Sequence, residues 1–132
     1  MYVAVYGTLR RGEGNWAWAL KNTSAFIGDY RIPGFVLFSN GCYPYAVEGS
    51  GEITVEIFEI DAETLNRLDH LEGYPHHYNR KKITVGEKEA WIYFTEREEI
   101  KCSCTKIPSG DWLDGSEKDF TSSLREGDFA NA

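Results

Sequence analysis

The sequence lacks a run of apolar residues long enough to cross a bilayer. A membrane-spanning helix needs about 18 or more apolar residues in succession, and the 132-residue sequence contains no such run. Its first five residues, Met-Tyr-Val-Ala-Val, also lack the basic region and the cleavage site of a secretory signal. These two absences predict a cytoplasmic protein that makes no use of a membrane.

Positive charge is also scarce. The chain has 14 Lys and Arg residues against 21 Asp and Glu residues, which gives a formal net charge of −7. General binding to nucleic acid or to anionic membranes depends on Lys and Arg neutralising phosphates, so this balance argues against both partners. Two short basic runs, Arg10-Arg11 and Arg80-Lys81-Lys82, are interpreted as solvated edges or loops, the usual place for such runs.

Cysteine and histidine are too few, and too irregularly spaced, to indicate a metal site. The three cysteines cannot all pair with one another, and the spacing of Cys102 and Cys104 matches neither a zinc ribbon nor a thioredoxin motif. The three histidines follow no standard zinc-ligand spacing. The glycines near residues 7–14 form neither a phosphate loop nor a dinucleotide fingerprint. We therefore expect free thiols, no metal and no cofactor.

The patterns that are present predict one α+β domain over residues 1–113. Strands alternate irregularly with two short helices, which favours a mixed, strongly curved or barrel-like sheet. From residue 114 the chain becomes polar and acidic, so residues 114–132 are predicted to be a frayed helix or a disordered tail. The predicted strands are residues 2–6, 34–38, 52–60, 82–85, 89–94 and 101–107, and the predicted helices are 15–21 and 61–72. An aromatic turn at 41–45 is a candidate pocket rim.

Local signals mark several of these boundaries. Asn15 is predicted to cap the first helix and Asp61 the second. Gly73 stands where a left-handed residue normally ends a helix, so the second helix is expected to end at Glu72. In the strand over residues 52–60 the polar and apolar alternation breaks at Phe58, which indicates a bulge.

The segment Tyr6-Gly7-Thr8-Leu9 follows the first strand as a turn of small residues. Gly7 has no side chain, so a ligand can approach the main chain closely, and glycine also permits the positive φ that we expect here. Consecutive backbone N–H groups in such a turn favour a bound carboxylate or a developing oxyanion. The loop is therefore a candidate anion-binding site.

Two carboxylates fall at the wrong end of the second helix. Glu72 and Asp69 face the negative end of the helix dipole, where an acidic side chain costs about 0.3–1 kcal/mol. Local rules that fail in this way often mark function. The alternative is structural: both acids would pair with Arg67, Arg80 or Lys81, or lie in water.

These segments, together with Leu68-Asp69-His70-Leu71-Glu72-Gly73-Tyr74-Pro75 and Tyr78-Asn79-Arg80, resemble the gamma-glutamylcyclotransferase (AIG2-like) family in its short bacterial form. The resemblance spans residues 2–113 and includes Ser109-Gly110-Asp111-Trp112. It implies a cofactor-independent enzyme that releases 5-oxoproline from a small gamma-glutamyl compound.

The resemblance also implies roles for particular residues. Glu72 matches the catalytic glutamate of the family and would act as general base and then general acid, while Asp69 stays structural. The remaining candidates are substrate-binding residues: Tyr6, Gly7, Thr8, Leu9, Arg10, Asn15, Tyr78 and Tyr93. The leaving amine and the oligomeric state stay open.

Two other functions compete with this one. The first is a non-catalytic module that binds a glutamyl-like metabolite on the same scaffold. The second is a curved-sheet module that binds a protein or single-stranded nucleic acid through exposed aromatic rings, and the acidic charge weighs against its nucleic-acid version. Release of 5-oxoproline separates the enzyme from both.

Overall fold

The computed structural model describes residues 1–113, which form six strands and three helices. The predicted α+β class with a mixed, curved sheet is confirmed. The predicted tail at 114–132 lies outside the described residues. In chain order the elements are β1 (Tyr2–Val5), α1 (Gly14–Ala19), β2 (Ala25–Ser39), β3 (Pro44–Glu59), α2 (Ala62–Glu72), β4 (Asn79–Val85), β5 (Lys88–Phe94), α3 (Glu98–Ser103) and β6 (Thr105–Ile107).

The strands form one sheet in the order β4-β5-β1-β3-β2-β6. Strand β1 lies inside it, antiparallel to β3 and parallel to β5. Val3, Ala4 and Val5 are completely buried, and such a continuous apolar run is typical of a strand covered on both faces. The loop that follows β1 is therefore anchored in the most buried part of the sheet.

Strands β2 and β3 pair as a hairpin and, at 15 and 16 residues, are much longer than the strands predicted at 34–38 and 52–60. Its pairing register shifts between Phe26 and Gly28 and again between Pro33 and Phe35. Bulges of this kind bend a strand pair and increase its twist, which accounts for the curvature. The bulge predicted at Phe58 is found at that level, but the extra residue is in β2, because Phe26 pairs with Phe58 and Gly28 with Ile57.

Helix α2 begins and ends as its sequence predicts. Asp61 Oδ1 accepts a hydrogen bond of 2.8 Å from the Thr64 amide at the start, and Gly73 takes φ 67° at the end. The cap predicted for α1 is wrong: Glu13 occupies that position, and Asn15 lies inside the helix. The Asn15 side chain is used instead to hold the neighbouring loop.

Three further sequence predictions need correction. Residues 101–107 do not form one strand, because α3 extends to Ser103 and only the last three residues pair as β6. This gives three helices in the described part of the chain where two were predicted. Of the turn predicted at 41–45, Pro44 and Tyr45 already belong to β3. The three cysteines are free, and within residues 1–113 no helix is long and apolar enough to span a membrane.

Candidate active site

Glu72 lies in the last turn of α2 with its side chain completely buried. The boundary of the helix, set by the left-handed Gly73, fixes this position. Asp69 precedes Glu72 by three residues, and side chains at that spacing are neighbours on one face of a helix. Two adjacent carboxylates therefore lie at the carbonyl end of α2, one of them fully removed from water.

The charge of Glu72 acts on three buried tyrosines, Tyr6, Tyr78 and Tyr93. Burial is the main cause of a raised pKa in each of them, and the negative charge of Glu72 raises all three pKa values further. For Tyr6 a hydrogen bond from the Ala46 backbone acts in the opposite direction. These phenols consequently stay protonated at neutral pH. The structure thus brings three predicted site tyrosines together with the predicted catalytic glutamate.

The loop over residues 6–9 is held by hydrogen bonds to its carbonyl groups and to one side chain. The carbonyl oxygen of Gly7 accepts from the Arg10 amide at 2.9 Å, and that of Thr8 accepts from the Asn15 and Trp16 amides, each at 3.1 Å. Asn15 Nδ2 also donates to Thr8 Oγ1 at 2.9 Å. The start of α1 therefore fixes the loop.

The amides of Gly7 and Leu9 are the candidate donors of this loop. Neither amide donates any of the backbone hydrogen bonds that the structure forms outside helices and strands in residues 1–113. Gly7 is not among the glycines with positive φ, so the positive φ predicted for it is wrong. What Gly7 offers a ligand is only the absence of a side chain. Tyr6 belongs both to this loop and to the tyrosine group, so it connects the two.

Arg10 belongs to a separate network. Its guanidinium is almost completely buried, with Nε 3.0 Å from Glu56 Oε2 and Nη1 2.7 Å from Asp111 Oδ1. Glu56 Oε1 also accepts from the Arg11 amide at 2.8 Å. The interpretation of Arg10 as solvated surface is therefore wrong. These contacts let Arg10 hold the end of the loop, and its direct contact with substrate stays a prediction.

Asp69 has the partner that the structural alternative named. Its two carboxylate oxygens accept from Arg80 Nε at 2.8 Å and from Arg80 Nη2 at 3.1 Å. Asp69 Oδ1 also accepts the Tyr93 hydroxyl proton at 2.7 Å. The ion pair with Arg80 is thus confirmed for Asp69, and the contact with Tyr93 was not foreseen.

Tyr45 belongs to the aromatic turn that the sequence predicts as a pocket rim, and the structure places it against Tyr78. Its ring stacks on that of Tyr78 with centroids 5.9 Å apart, and burial raises its pKa. Tyr45 is the second residue of β3 and follows Pro44, whose carbonyl oxygen accepts from the Tyr78 hydroxyl at 3.3 Å. The aromatic run Tyr43-Pro44-Tyr45 was the available signal. As for metals, no group of three candidate ligand side chains occurs among the described residues.

Fold and site together define a small α+β protein with a buried carboxylate, Glu72, at the end of α2 and a backbone loop after β1. The family model described as "Gamma-glutamyl cyclotransferase, AIG2-like" matches residues 3–114. The chain is also 38% identical over 116 residues to the gamma-glutamylcyclotransferase family protein YtfP of Escherichia coli K12, an alignment that covers 86% of this chain and 97% of that protein. The chain therefore belongs to the gamma-glutamylcyclotransferase, AIG2-like family.

Solved structures share the fold of this chain. An uncharacterized protein from Pyrococcus horikoshii superposes with a TM-score of 0.71 at 32% identity, covering 85% of this chain and 89% of that one. An AIG2-like protein from Mus musculus gives a TM-score of 0.76 over 96% of this chain and 97% of that one. At 23% identity the mouse protein supports the fold alone.

Proposed function

We propose that this protein is a cyclotransferase that acts on a gamma-glutamyl amine or a gamma-glutamyl peptide and releases 5-oxoproline and the free amine. The observation that carries the proposal is the Glu72 carboxylate, completely buried among tyrosines and connected through Tyr6 to a backbone loop. Membership of the family supports the class of substrate. The position of Glu72 supports its role in the chemistry.

The reaction needs little from the protein because the substrate carries its own nucleophile. The α-nitrogen attacks the γ-carbonyl carbon, a five-membered ring closes, and the amide C–N bond to the leaving amine breaks. Holding the substrate in the attacking conformation supplies much of the rate, since well-oriented intramolecular reactions reach effective molarities of about 10⁵–10⁸ M. In this proposal the residues around Glu72 select that conformation.

Glu72 moves the proton in this scheme. As general base it takes a proton from the α-ammonium group so that the nitrogen lone pair can attack, and as general acid it returns a proton to the departing nitrogen. The amides of the loop over residues 6–9 would hold the α-carboxylate or the developing oxyanion, the role of preorganised backbone donors. No nucleophilic side chain and no metal take part.

The direct test is a panel of gamma-glutamyl amines and peptides incubated with the full chain, with 5-oxoproline release as the readout. We expect turnover of at least one compound, equally with and without a chelator. Glu72→Gln should lower kcat by roughly 10²-fold or more, the usual scale for a lost general base.

Glu63→Gln is the matched control, because Glu63 lies on the same helix but is exposed at its first turn. It should leave turnover unchanged. Wild-type rates in a folded Glu72→Gln protein would remove Glu72 from the mechanism. Binding of gamma-glutamyl compounds without any 5-oxoproline release would instead favour the non-catalytic binding module.

A further inference from the structure

The hydroxyl protons of the three tyrosines around Glu72 all have acceptors. Tyr6 donates to the Tyr93 carbonyl at 2.8 Å, Tyr78 to the Pro44 carbonyl at 3.3 Å, and Tyr93 to Asp69 Oδ1 at 2.7 Å. A tyrosine hydroxyl has one proton and two lone pairs. Each oxygen is thereby left to act as an acceptor, and for Tyr93 a carboxylate side chain enforces this.

Asp69 is itself rigidly held. Arg80 binds both of its oxygens, and the Arg80 guanidinium carbon lies 4.3 Å from the Tyr74 ring centre and 4.2 Å from that of Trp91. A bidentate, ring-stacked arginine has little freedom. The pair also neutralises the charge of Asp69. The carboxylate that accepts from Tyr93 is consequently fixed in place, and Glu72 remains the negative group at this end of α2.

The Tyr93 oxygen lies on the face of α2 that carries Glu72. It is bonded to Asp69, and residues three apart on a helix have neighbouring side chains. The charge of Glu72 raises the pKa of Tyr93, which agrees with this proximity. A cationic N–H group between the two residues would meet a carboxylate on one side and a lone pair of the phenol on the other.

We propose that Asp69 is a positioning residue: by accepting the hydroxyl proton of Tyr93, it keeps the Tyr93 oxygen as an acceptor for the α-ammonium group of the substrate beside Glu72. The inference rests on the proposed function for the identity of the ligand. Without Asp69 the Tyr93 proton would turn toward the Glu72 carboxylate and compete with the ammonium group. Asp69 would thus act through Tyr93 and not touch substrate.

The test compares two probes that need no turnover, L-glutamate and glutarate, which differ by the ammonium group. Their dissociation constants are measured by NMR titration of the full chain for the wild type, Asp69→Ala, Asp69→Asn, Tyr93→Phe and the double variant Asp69→Ala/Tyr93→Phe. Tyr30→Phe on β2 is the control. We expect the wild type to prefer glutamate, and Asp69→Ala and Tyr93→Phe each to reduce that preference roughly tenfold or more, the scale of a hydrogen bond to a charged group.

The double variant should lose no more than either single variant, because both remove the same contact. Asp69→Asn keeps an oxygen acceptor for Tyr93 and should retain most of the preference. A folded Asp69→Ala protein with unchanged preference would overturn the inference, and so would a full additional loss in the Tyr93→Phe background. Equal losses in Asp69→Asn and Asp69→Ala would assign the effect to the ion pair with Arg80 instead.

If Asp69→Ala does not fold, the comparison of Asp69→Asn with Tyr93→Phe decides: a retained preference in the first and a lost preference in the second support the inference, and any other pattern refutes it. A wild type without glutamate preference also refutes it. The proposed function fails separately, when no gamma-glutamyl compound yields 5-oxoproline although glutamate binds.

Discussion

Replacing Glu56 by Gln tests the buried ion pair that anchors the candidate loop. The Glu56 side chain on β3 is 3% exposed and accepts from Arg10 Nε at 3.0 Å and from the Arg11 amide at 2.8 Å. Gln has only one side-chain oxygen. If this oxygen accepts from the Arg11 amide, the uncharged NH₂ group faces Arg10; if it faces Arg10 instead, it is a weaker acceptor than the carboxylate. The buried guanidinium of Arg10 is then left with Asp111, whose side chain is 32% exposed.

The expected loss of stability follows from that geometry. Removing one partner from a buried ion pair costs about 3–5 kcal/mol, because the other charge stays buried without compensation. Asp111 still binds Arg10 at 2.7 Å, so the lower end, about 3 kcal/mol, applies here. With a urea m-value of about 2 kcal/mol/M for a domain of this size, the midpoint should fall by about 1.5 M.

The chain supplies a matched control on the same strand. Glu52 lies four residues before Glu56, but its side chain is 58% exposed and 3.6 Å from the half-exposed Arg31. An exposed pair of this kind contributes about 1 kcal/mol at most. Urea unfolding followed by circular dichroism should therefore separate Glu56→Gln clearly from Glu52→Gln. A loss below about 1 kcal/mol for Glu56→Gln, or equal losses in the two variants, would refute the reasoning.

Three further changes test other parts of the structure. Gly110→Ala should destabilise the fold by more than about 1–2 kcal/mol, the cost of left-handed strain alone, because φ is 72° and the added carbon would also lie 2.1 Å from the Glu52 carbonyl oxygen. Gly14→Ala, whose added carbon would meet no atom within 4 Å, is the control in thermal unfolding. Equal unfolding midpoints for the two variants would contradict the predicted clash. Hydrogen bonds from Thr64 lower the pKa of Asp61. The stabilising effect of the Asp61 carboxylate is therefore present above its unfolded pKa of about 4 and is lost as pH falls through the lower folded pKa. Asp61→Ala should be less stable than the wild type near neutral pH, the difference should shrink in acid, and a difference independent of pH would contradict the cap. Gly7→Ala should raise KM at least tenfold by placing a methyl group where the substrate is proposed to approach the main chain, and an unchanged KM would remove the loop from the site.

The sequence predicts helix α2 well because its signals are local. Asp61 and Gly73 mark its two ends through contacts within a few residues, and Glu72 attracts notice because it contradicts the helix dipole at its own position. The first strand is equally clear, since an uninterrupted apolar run needs no partner to be recognised. Both features depend on neighbouring residues alone, so no tertiary information is required.

Elements whose form depends on distant partners were predicted poorly. The β2–β3 hairpin continues past Gly49 and Gly51, which are weak strand formers, because pairing resumes on both sides of them, between Glu48 and Phe35 and between Glu52 and Pro33. Asn15 has the composition of a cap but donates to Thr8 instead. In both cases contacts with another segment of the chain override the local propensity, and the local sequence pattern does not reveal those contacts.

In the candidate site, too, single residues are predictable from the sequence, whereas contacts between distant residues are not. Each member of the group, Tyr6, Glu72, Tyr78 and Tyr93, could be named from the sequence, whereas the contact between Tyr93 and Asp69 joins residues 24 positions apart on a strand and a helix. Arg10 is the stronger case, since its partners lie 46 and 101 residues away. A short basic run is normally solvated because its counter-charges are absent locally. Where the fold brings two carboxylates to Arg10, this arginine becomes a buried anchor for the loop that follows β1, and such an anchor is what the proposed anion site of preorganised backbone amides would need.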